Sequence, residues 1–184
     1  MGLFRKSAAE PLPVAMAAVK LGQRLLAVGA TDSAFIAQLA TKAGLTGRAC
    51  VVDPDAQRLA AGAAAIEREG ALIEAAHAPF GSWPYESESF DVVVMARILP
   101  LLEEQARARC AADVMRVLRG GGRAIVIDQA RRTGLGGLLE RAPATDRSYR
   151  GGAAVLKSAG FTAVRELAEA EGFVFVEGIK RVSS

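Results

Sequence analysis

Short apolar runs alternate along the chain with longer stretches in which apolar residues recur every three or four positions. Residues 25–28 form the first apolar run, and residues 36–43 have the helical spacing. The same two patterns return in residues 49–52 and 59–66. They predict a strand, a helix, a second strand and a second helix in succession.

The second half of the chain continues this alternation. Residues 71–73 are a candidate third strand, residues 90–95 a fourth and residues 124–127 a fifth, with a helix over residues 102–117 between the last two. Strands that alternate with helices of this length predict a parallel sheet. The uninterrupted valines at 92–94 indicate burial on both faces of that sheet. We therefore predict a doubly wound α/β fold.

The end of the chain departs from this pattern. Residues 161–167 and 173–179 are two apolar-rich segments, and the connection between them has no room for a crossover helix. We expect them to form an antiparallel hairpin that closes the sheet. Because no linker is visible, we predict a single domain over residues 1–184, with an N-terminal segment at 1–23 and a flap at 131–150.

The composition is that of a globular protein, since 51% of the residues are hydrophobic, 23% are charged and the net charge is +3. The two cysteines, Cys50 and Cys110, lie far apart in sequence and have no histidine or second cysteine at metal-ligand spacing. We therefore expect neither a disulfide nor a metal site, and a reducing, cytoplasmic setting. The apolar stretch at residues 11–19 is too short to cross a membrane, and we expect no membrane association.

The net positive charge is concentrated in the flap at residues 131–150, which has five arginines and two acidic residues. Such a segment can bind an acidic partner or a small anion, although it can also be a solvated surface. Nucleic acid is a weaker candidate, because the net charge of +3 is modest and the aromatic residues do not interleave with a basic stripe. A homodimer stays open as an alternative. The candidate contact residues are Arg131, Arg132, Arg147 and Arg150.

Four segments of the chain carry a family resemblance. They read LLAVG at residues 25–29, VVD at 51–53, WPYESESFDVVV at 83–94 and RVLRGGGR at 116–123. With these motifs and this order of predicted elements, the chain resembles the class I S-adenosylmethionine (SAM) dependent methyltransferases, in particular the branch that resembles the enzymes of ubiquinone and menaquinone biosynthesis. The resemblance implies a Rossmann-like methyltransferase fold: a mainly parallel seven-stranded sheet with an antiparallel C-terminal hairpin. It also implies SAM as the cofactor, bound at the carboxyl ends of the first strands.

The loop after the first predicted strand departs from the family pattern. The family has an acidic residue and three glycines there, whereas this chain has Ala27 at the acidic position, Gly29 at the first glycine, and Thr31 and Ser33 at the other two. A β-branched residue held at positive φ costs about 1–2 kcal/mol, and a lost charge-assisted hydrogen bond roughly 1.5–3 kcal/mol. We therefore expect SAM binding that is weak or lost, unless Asp32 compensates. Asp32 or Ser33 is also the candidate cap of the first helix.

Other positions of the family's cofactor site are matched in part. Asp53 matches the acidic residue that accepts hydrogen bonds from the ribose hydroxyls, although an aspartate there can also cap a helix. His77, the only histidine, lies where the family has a carboxylate that faces the adenine. Arg97 is either an anion-binding residue or a solvated arginine at a strand end, and no residue is assigned a catalytic role. The resemblance implies a cofactor site formed by Gly29, Thr31, Asp32, Asp53, Asp55 and His77.

Two functions of different classes follow from these observations. The first is a SAM-dependent methyltransferase with a divergent cofactor site, which acts on a small anionic or unknown substrate mainly by placing the methyl group in line with a nucleophile. The second is an inactive protein of the same fold that has lost SAM and serves as a binding or scaffold protein. Titration with SAM distinguishes the two.

Overall fold

Strands and helices alternate through most of the chain, as the hydrophobic pattern predicts. The computed structural model describes residues 10–130 and 149–182. Within these residues the helices are α1 (Leu12–Ala17), α2 (Ser33–Ala43), α3 (Ala56–Arg68), α4 (Glu104–Val117) and α5 (Gly152–Ser158), and a short 3-10 helix spans Leu99–Leu101. The strands are β1 (Arg24–Val28), β2 (Arg48–Asp53), β3 (Glu74–His77), β4 (Phe90–Ala96), β5 (Leu118–Gln129), β6 (Ala163–Ala170) and β7 (Phe173–Ile179).

The seven described strands form one sheet in the order β3-β2-β1-β4-β5-β7-β6. The strand β1 pairs in parallel with β2 and β4, and the parallel arrangement extends to β3 and β5. The strand β7 lies between β5 and β6 and is antiparallel to both. The predicted seven-stranded, mainly parallel sheet with a closing antiparallel hairpin is therefore confirmed.

Helices cover both faces of the sheet. Successive residues of a strand point to opposite faces, so each buried strand contributes side chains to both sides. In β4, Val92 and Val94 pack with residues of α1, α2 and α3, whereas Val93 and Met95 pack with residues of α4 and α5. None of these four side chains is more than 2% exposed. The valine run thus lies at the centre of a three-layer, doubly wound α/β fold.

The predicted third strand is misplaced. The strand β3 begins at Glu74 rather than at residue 71, because its pairing with β2 starts opposite Cys50. Leu72 lies in the connection before it and is 73% exposed. A run of three apolar residues has no periodicity from which the hydrogen-bond register can be derived.

The structure also extends one predicted element and adds two. The strand β5 begins at Leu118 rather than at residue 124, because the glycines at 120–122 continue the strand through a shift of register with β4. The short helices α1 and α5 lie in segments for which the sequence predicts no helix. Helices of six and seven residues depend on packing against the sheet more than on their own sequence.

The carboxyl ends of β1, β2, β3 and β4 lie at one edge of the sheet, which we call the carboxyl edge. Asp32 caps α2 there by accepting a hydrogen bond from the N–H of Phe35 at 3.1 Å. Asp55 caps α3 by accepting one from the N–H of Arg58 at 2.9 Å. None of the helices in the described ranges combines the length and the apolar character that crossing a bilayer requires.

Candidate functional site

The loop from β1 to α2, residues 29–32, forms the first part of the candidate site. Gly29 has a φ of 85° and is the only residue of this loop in the left-handed region. Thr31 and Ser33 do not adopt a positive φ, and Ser33 is already the first residue of α2. The prediction of backbone strain at Thr31 is therefore wrong, because in this loop only Gly29 has a positive φ. At the position of the third glycine, Ser33 already has the helical backbone of α2.

The side chain of Ile98 covers Gly29. A Cβ added to Gly29 would lie 3.1 Å from Cδ1 of Ile98, and Ile98 is 5% exposed. The cavity beside this loop, which Ala27, Thr31 and other residues line, has a volume of about 10 Å³. That is room for about one water molecule, whereas sites for drug-sized ligands have about 300–1,000 Å³. The open face of Gly29 is therefore filled by the protein itself.

Asp53, the last residue of β2, is fully buried. Its Oδ2 accepts hydrogen bonds from the N–H of Ala30 at 2.8 Å and from Nε of Arg58 at 2.7 Å. Its Oδ1 accepts hydrogen bonds from the N–H of Asp55 at 2.8 Å and from Nη2 of Arg58 at 2.6 Å. These four bonds use the roughly four acceptor sites of a carboxylate.

The surroundings of Asp53 keep its carboxyl group ionised. Burial by itself raises the pKa of Asp53, but the hydrogen bonds from Arg58 and from the N–H groups of Asp55 and Ala30 outweigh burial and hold this pKa below its usual value. The same contact raises the pKa of Arg58 above its usual value. The two residues therefore form an ion pair between a buried carboxylate and a guanidinium whose side chain is 36% exposed.

A second ion pair joins the loop after β1 to the end of β4. The Oδ2 atom of Asp32 accepts a hydrogen bond from Nη2 of Arg97, and the two side chains are 34% and 39% exposed. Arg97 has a φ of 57°, and its N–H donates to the carbonyl of Ile127 at 2.7 Å. Arg97 and the next residue, Ile98, thus both contact the loop after β1.

His77 ends β3 and pairs with Asp53 in the ladder between β2 and β3. Its Nε2 lies 3.0 Å from the carbonyl oxygen of Pro54, a contact that requires the tautomer protonated on Nε2. Asp55 lies beside them, with its Oδ2 3.5 Å from Nη1 of Arg58. The carboxyl edge thus brings together all the residues predicted for the cofactor site, while their role toward a cofactor stays a prediction. They are Gly29, Thr31, Asp32, Asp53, Asp55 and His77.

SAM, which the resemblance implies, does not fit this arrangement of the carboxyl edge. The ribose-binding role that the resemblance implies for Asp53 needs free acceptor sites, and Arg58 and two backbone N–H groups use them. Close approach of a cofactor to the loop needs the bare face of Gly29, and Ile98 fills that face. Ala27, at the family's acidic position, is 3% exposed in the core and has no polar side-chain atom.

Two residues that close the site, Arg58 and Ile98, are not among those predicted from the sequence. A signal for Arg58 was present, because the segment DPDAQR starts at Asp53 and places an arginine in the first turn of a helix. No local pattern marks Ile98, whose role depends on how the segment after β4 meets the loop after β1.

The predicted anion contacts are only partly within the described structure. Arg131, Arg132 and Arg147 lie outside the described residues, whereas Arg150 is exposed and borders a cavity of about 630 Å³ between α4 and α5. Within residues 10–130 and 149–182, no group of three or more histidines, cysteines or acidic residues is placed to hold a metal ion.

A further buried acidic residue lies on β5. Asp128 is 6% exposed, and its Oδ2 accepts hydrogen bonds from the hydroxyl of Tyr149 and, at 3.2 Å, from the N–H of Gly152. Burial raises the pKa of Asp128, and these hydrogen bonds offset part of that increase. Asp128 therefore fixes the start of α5 against β5.

Comparison with known protein families finds one match. A family described as a methyltransferase domain matches residues 25–122. This span runs from β1 into β5 and includes the whole candidate site at the carboxyl edge. No curated protein matches the chain in sequence.

Several solved structures share the fold. A SAM-dependent methyltransferase from Aquifex aeolicus has a TM-score of 0.76 and 16% identity over 91% of this chain and 87% of that one. One from Methanosarcina mazei has a TM-score of 0.67 and 16% identity over 95% and 100% of the two chains. The [4+2]-cyclase SpnF has a TM-score of 0.67 and 15% identity over 93% and 81%. At such identities the likeness is one of fold, and function depends on the site.

Proposed function

This chain belongs to the methyltransferase-domain family, and we propose that it is a member whose cofactor site is closed by its own side chains and that it acts as a binding protein rather than in methyl transfer. The match over residues 25–122 bears out the resemblance to the class I SAM-dependent methyltransferases, for which SAM is the indicated cofactor. This member departs from the family pattern at the loop after β1, and its Asp53, which matches the pattern, is bonded to Arg58.

The hydrogen bonding of Asp53 is the observation that carries this proposal. A ribose can bind this carboxylate only after Arg58 leaves, and Arg58 holds both oxygens through bonds of 2.6 and 2.7 Å. Hydrogen bonds to charged groups contribute about 1.5–3 kcal/mol each. Loss of one such contribution lowers affinity roughly 10- to 100-fold. Because Arg58 makes two such bonds, we expect SAM to bind at least this much more weakly than in a site whose Asp53 oxygens are free. An affinity of about 10–100 μM in such an open site would thereby fall to about 1 mM or weaker.

Steric closure supports the same conclusion. Ile98 packs on Gly29, and the Asp32–Arg97 ion pair spans the loop after β1 and the end of β4. Room for a cofactor over Gly29 therefore requires the segment after β4 to move away from this loop. The fold itself does not demand methyl transfer, since one neighbour of similar fold is named as a cyclase.

Methyl transfer by an opened form is the second candidate function. The partial exposure of Arg58 and Arg97 favours it, because side chains that are 36% and 39% exposed can turn toward solvent. An ion pair between two partly exposed side chains, such as the pair of Arg97 with Asp32, typically contributes only about 0–1 kcal/mol. Asp53, once released from Arg58, would offer its oxygens to a ribose again.

Calorimetric titration with SAM and its demethylated product tests the proposal. We expect the wild-type chain to bind with a dissociation constant of about 1 mM or weaker, and Arg58→Met to bind at least about tenfold more tightly because it frees both oxygens of Asp53. Arg68→Met is the matched control, since Arg68 lies on the same helix and, among the residues that the structure describes, donates only to the carbonyl of Ala64. Its affinity for SAM should equal that of the wild type.

Two results would overturn the proposal. Micromolar binding of SAM by the wild type would promote methyl transfer to the first candidate. Equal affinity of Arg58→Met and Arg68→Met, with both variants folded as judged by circular dichroism, would show that the occupancy of Asp53 does not limit binding.

A further inference from the structure

A second cavity lies at the carboxyl edge, on the side of the sheet that α1 and α2 cover. Its volume is about 210 Å³. Phe35 of α2, Ile127 of β5 and Phe173 of β7 are among the apolar residues that line it. Because Phe35 and Ile127 are only 8% and 2% exposed, this wall is part of the core and its side chains are held in place.

The ion pair between Asp32 and Arg97 also lines this cavity. About a third of each side chain is exposed, which places the pair between the cavity and the solvent. Asp32 is the only side chain in the described ranges that bonds to the guanidinium of Arg97. A guanidinium has five N–H donors, so donors of Arg97 remain for a ligand.

This end of the cavity favours an anion over a cation. The negative charge of Asp32 is already paired with Arg97, and Asp32 also accepts a hydrogen bond from the N–H of Phe35, so a cationic ligand would have to share this carboxylate with Arg97. An anion instead finds donors that are not in use, close to the positive end of the α2 dipole. Arg97 also has a left-handed φ of 57°, a strained conformation of the kind that clusters at binding sites.

We propose that this cavity binds a small carboxylic acid with a single ring, its carboxylate on Arg97 and its ring against Phe35, Ile127 and Phe173. An apolar cavity of about 150 Å³ is enough for benzene, so 210 Å³ suits one ring with a carboxylate attached. Arginine binds carboxylates through paired N–H donors. This assignment rests on the proposed function, because it names the ligand of a protein whose cofactor site is closed.

Phenylacetate is the probe for this site, and phenylacetamide, a neutral ligand of the same shape, is the control. Titration of the full chain followed by NMR is expected to give a dissociation constant on the order of 0.1–1 mM for phenylacetate. Phenylacetamide should bind at least tenfold more weakly, because it lacks the charge that Arg97 recognises.

Substitution of Arg97 tests the polar end of the site. Arg97→Gln should weaken phenylacetate binding at least tenfold. Arg24→Gln is the matched control, because Arg24 is also an ion-paired arginine and is 42% exposed. It lies at the start of β1, at the opposite edge of the sheet, so its loss should leave binding unchanged.

Substitution of Ala96 tests the apolar body of the site. Ala96 ends β4 and lines the cavity, so Ala96→Leu should fill part of it and weaken phenylacetate binding at least fivefold without lowering the melting temperature. Ala108→Leu is the control, since Ala108 lines the separate cavity between α4 and α5.

Three results would overturn the assignment: no binding of phenylacetate, equal binding of phenylacetate and phenylacetamide, or unchanged binding by a folded Arg97→Gln variant. Failure of this assignment is distinguishable from failure of the proposed function. Micromolar binding of SAM contradicts the proposed function whatever phenylacetate does. Absence of phenylacetate binding together with absence of SAM binding contradicts the assignment alone.

Discussion

Replacement of Asp53 by asparagine measures how much the closed carboxyl edge contributes to stability. Asparagine has nearly the same shape as aspartate, but it has one acceptor oxygen and one NH₂ group in place of two carboxylate oxygens. Asp53 is fully buried and accepts four hydrogen bonds of 2.6–2.8 Å. The substitution therefore removes acceptors without creating a cavity.

The expected loss follows from the donors that the NH₂ group would face. These are either the N–H of Ala30 with Nε of Arg58, or the N–H of Asp55 with Nη2 of Arg58. Arg58 can turn toward solvent because its side chain is 36% exposed, but a backbone N–H cannot. An unsatisfied buried donor costs about 1–3 kcal/mol, and the weakened charge-assisted bonds add to this. We expect Asp53→Asn to lower the free energy of unfolding by about 2–4 kcal/mol in total.

Urea denaturation at pH 7, followed by circular dichroism, measures this loss. For a chain of this length, a loss of 2–4 kcal/mol corresponds to a fall in melting temperature of about 4–16 °C. Asp55→Asn is the matched control, because asparagine caps a helix about as well as aspartate does. Its free energy of unfolding should change by less than about 0.5 kcal/mol.

The pH dependence gives an independent check. The pKa of Asp53 is lower in the folded chain than its usual value, so the ionised carboxylate stabilises the fold above the unfolded pKa of about 3.9. This stabilisation is lost as the pH falls from there through the folded pKa. The difference between wild type and Asp53→Asn should therefore be complete at pH 7 and shrink below about pH 4. A loss under about 1 kcal/mol, an equal loss in Asp55→Asn, or a difference independent of pH would refute the reasoning.

Two further outcomes are expected from packing and burial. Gly29→Ala, at a φ of 85° and against Ile98, should lower the free energy of unfolding by about 2–3 kcal/mol. Gly70 also has a positive φ, of 82°, but a Cβ added there would meet no atom within 4 Å, so Gly70→Ala should lower the free energy of unfolding by only about 1 kcal/mol. Equal losses for the two variants in urea denaturation would contradict the close contact between Gly29 and Ile98. Cys50 and Cys110 should resist a thiol reagent at pH 8 until the chain unfolds, because burial raises the pKa of Cys50 to about 11 and that of Cys110 further still. Rapid labelling of the folded chain would count against this burial.

The elements that the sequence predicts well are those with enough length to show a period. The strand β4 and the helices α2 and α4 each carry a clear apolar pattern, and the structure has all three. The strand β3 and the helices α1 and α5 are short, with four, six and seven residues. Their positions depend on pairing and packing with the rest of the sheet, so the sequence alone misplaces or misses them.

The sequence by itself determined the family, the doubly wound architecture and the gathering of Gly29, Asp32, Asp53 and His77 near strand ends, because motifs and apolar periods are local properties of the chain. Only the tertiary structure decided whether these residues are open to a ligand. The sheet order β2-β1-β4 brings the segment after β4 onto the loop after β1, although Asp32 and Arg97 are 65 residues apart. The same packing puts Ile98 on Gly29 and leaves an apolar cavity beside Arg97. Such contacts depend on which strands become neighbours, and no local pattern of residues encodes them.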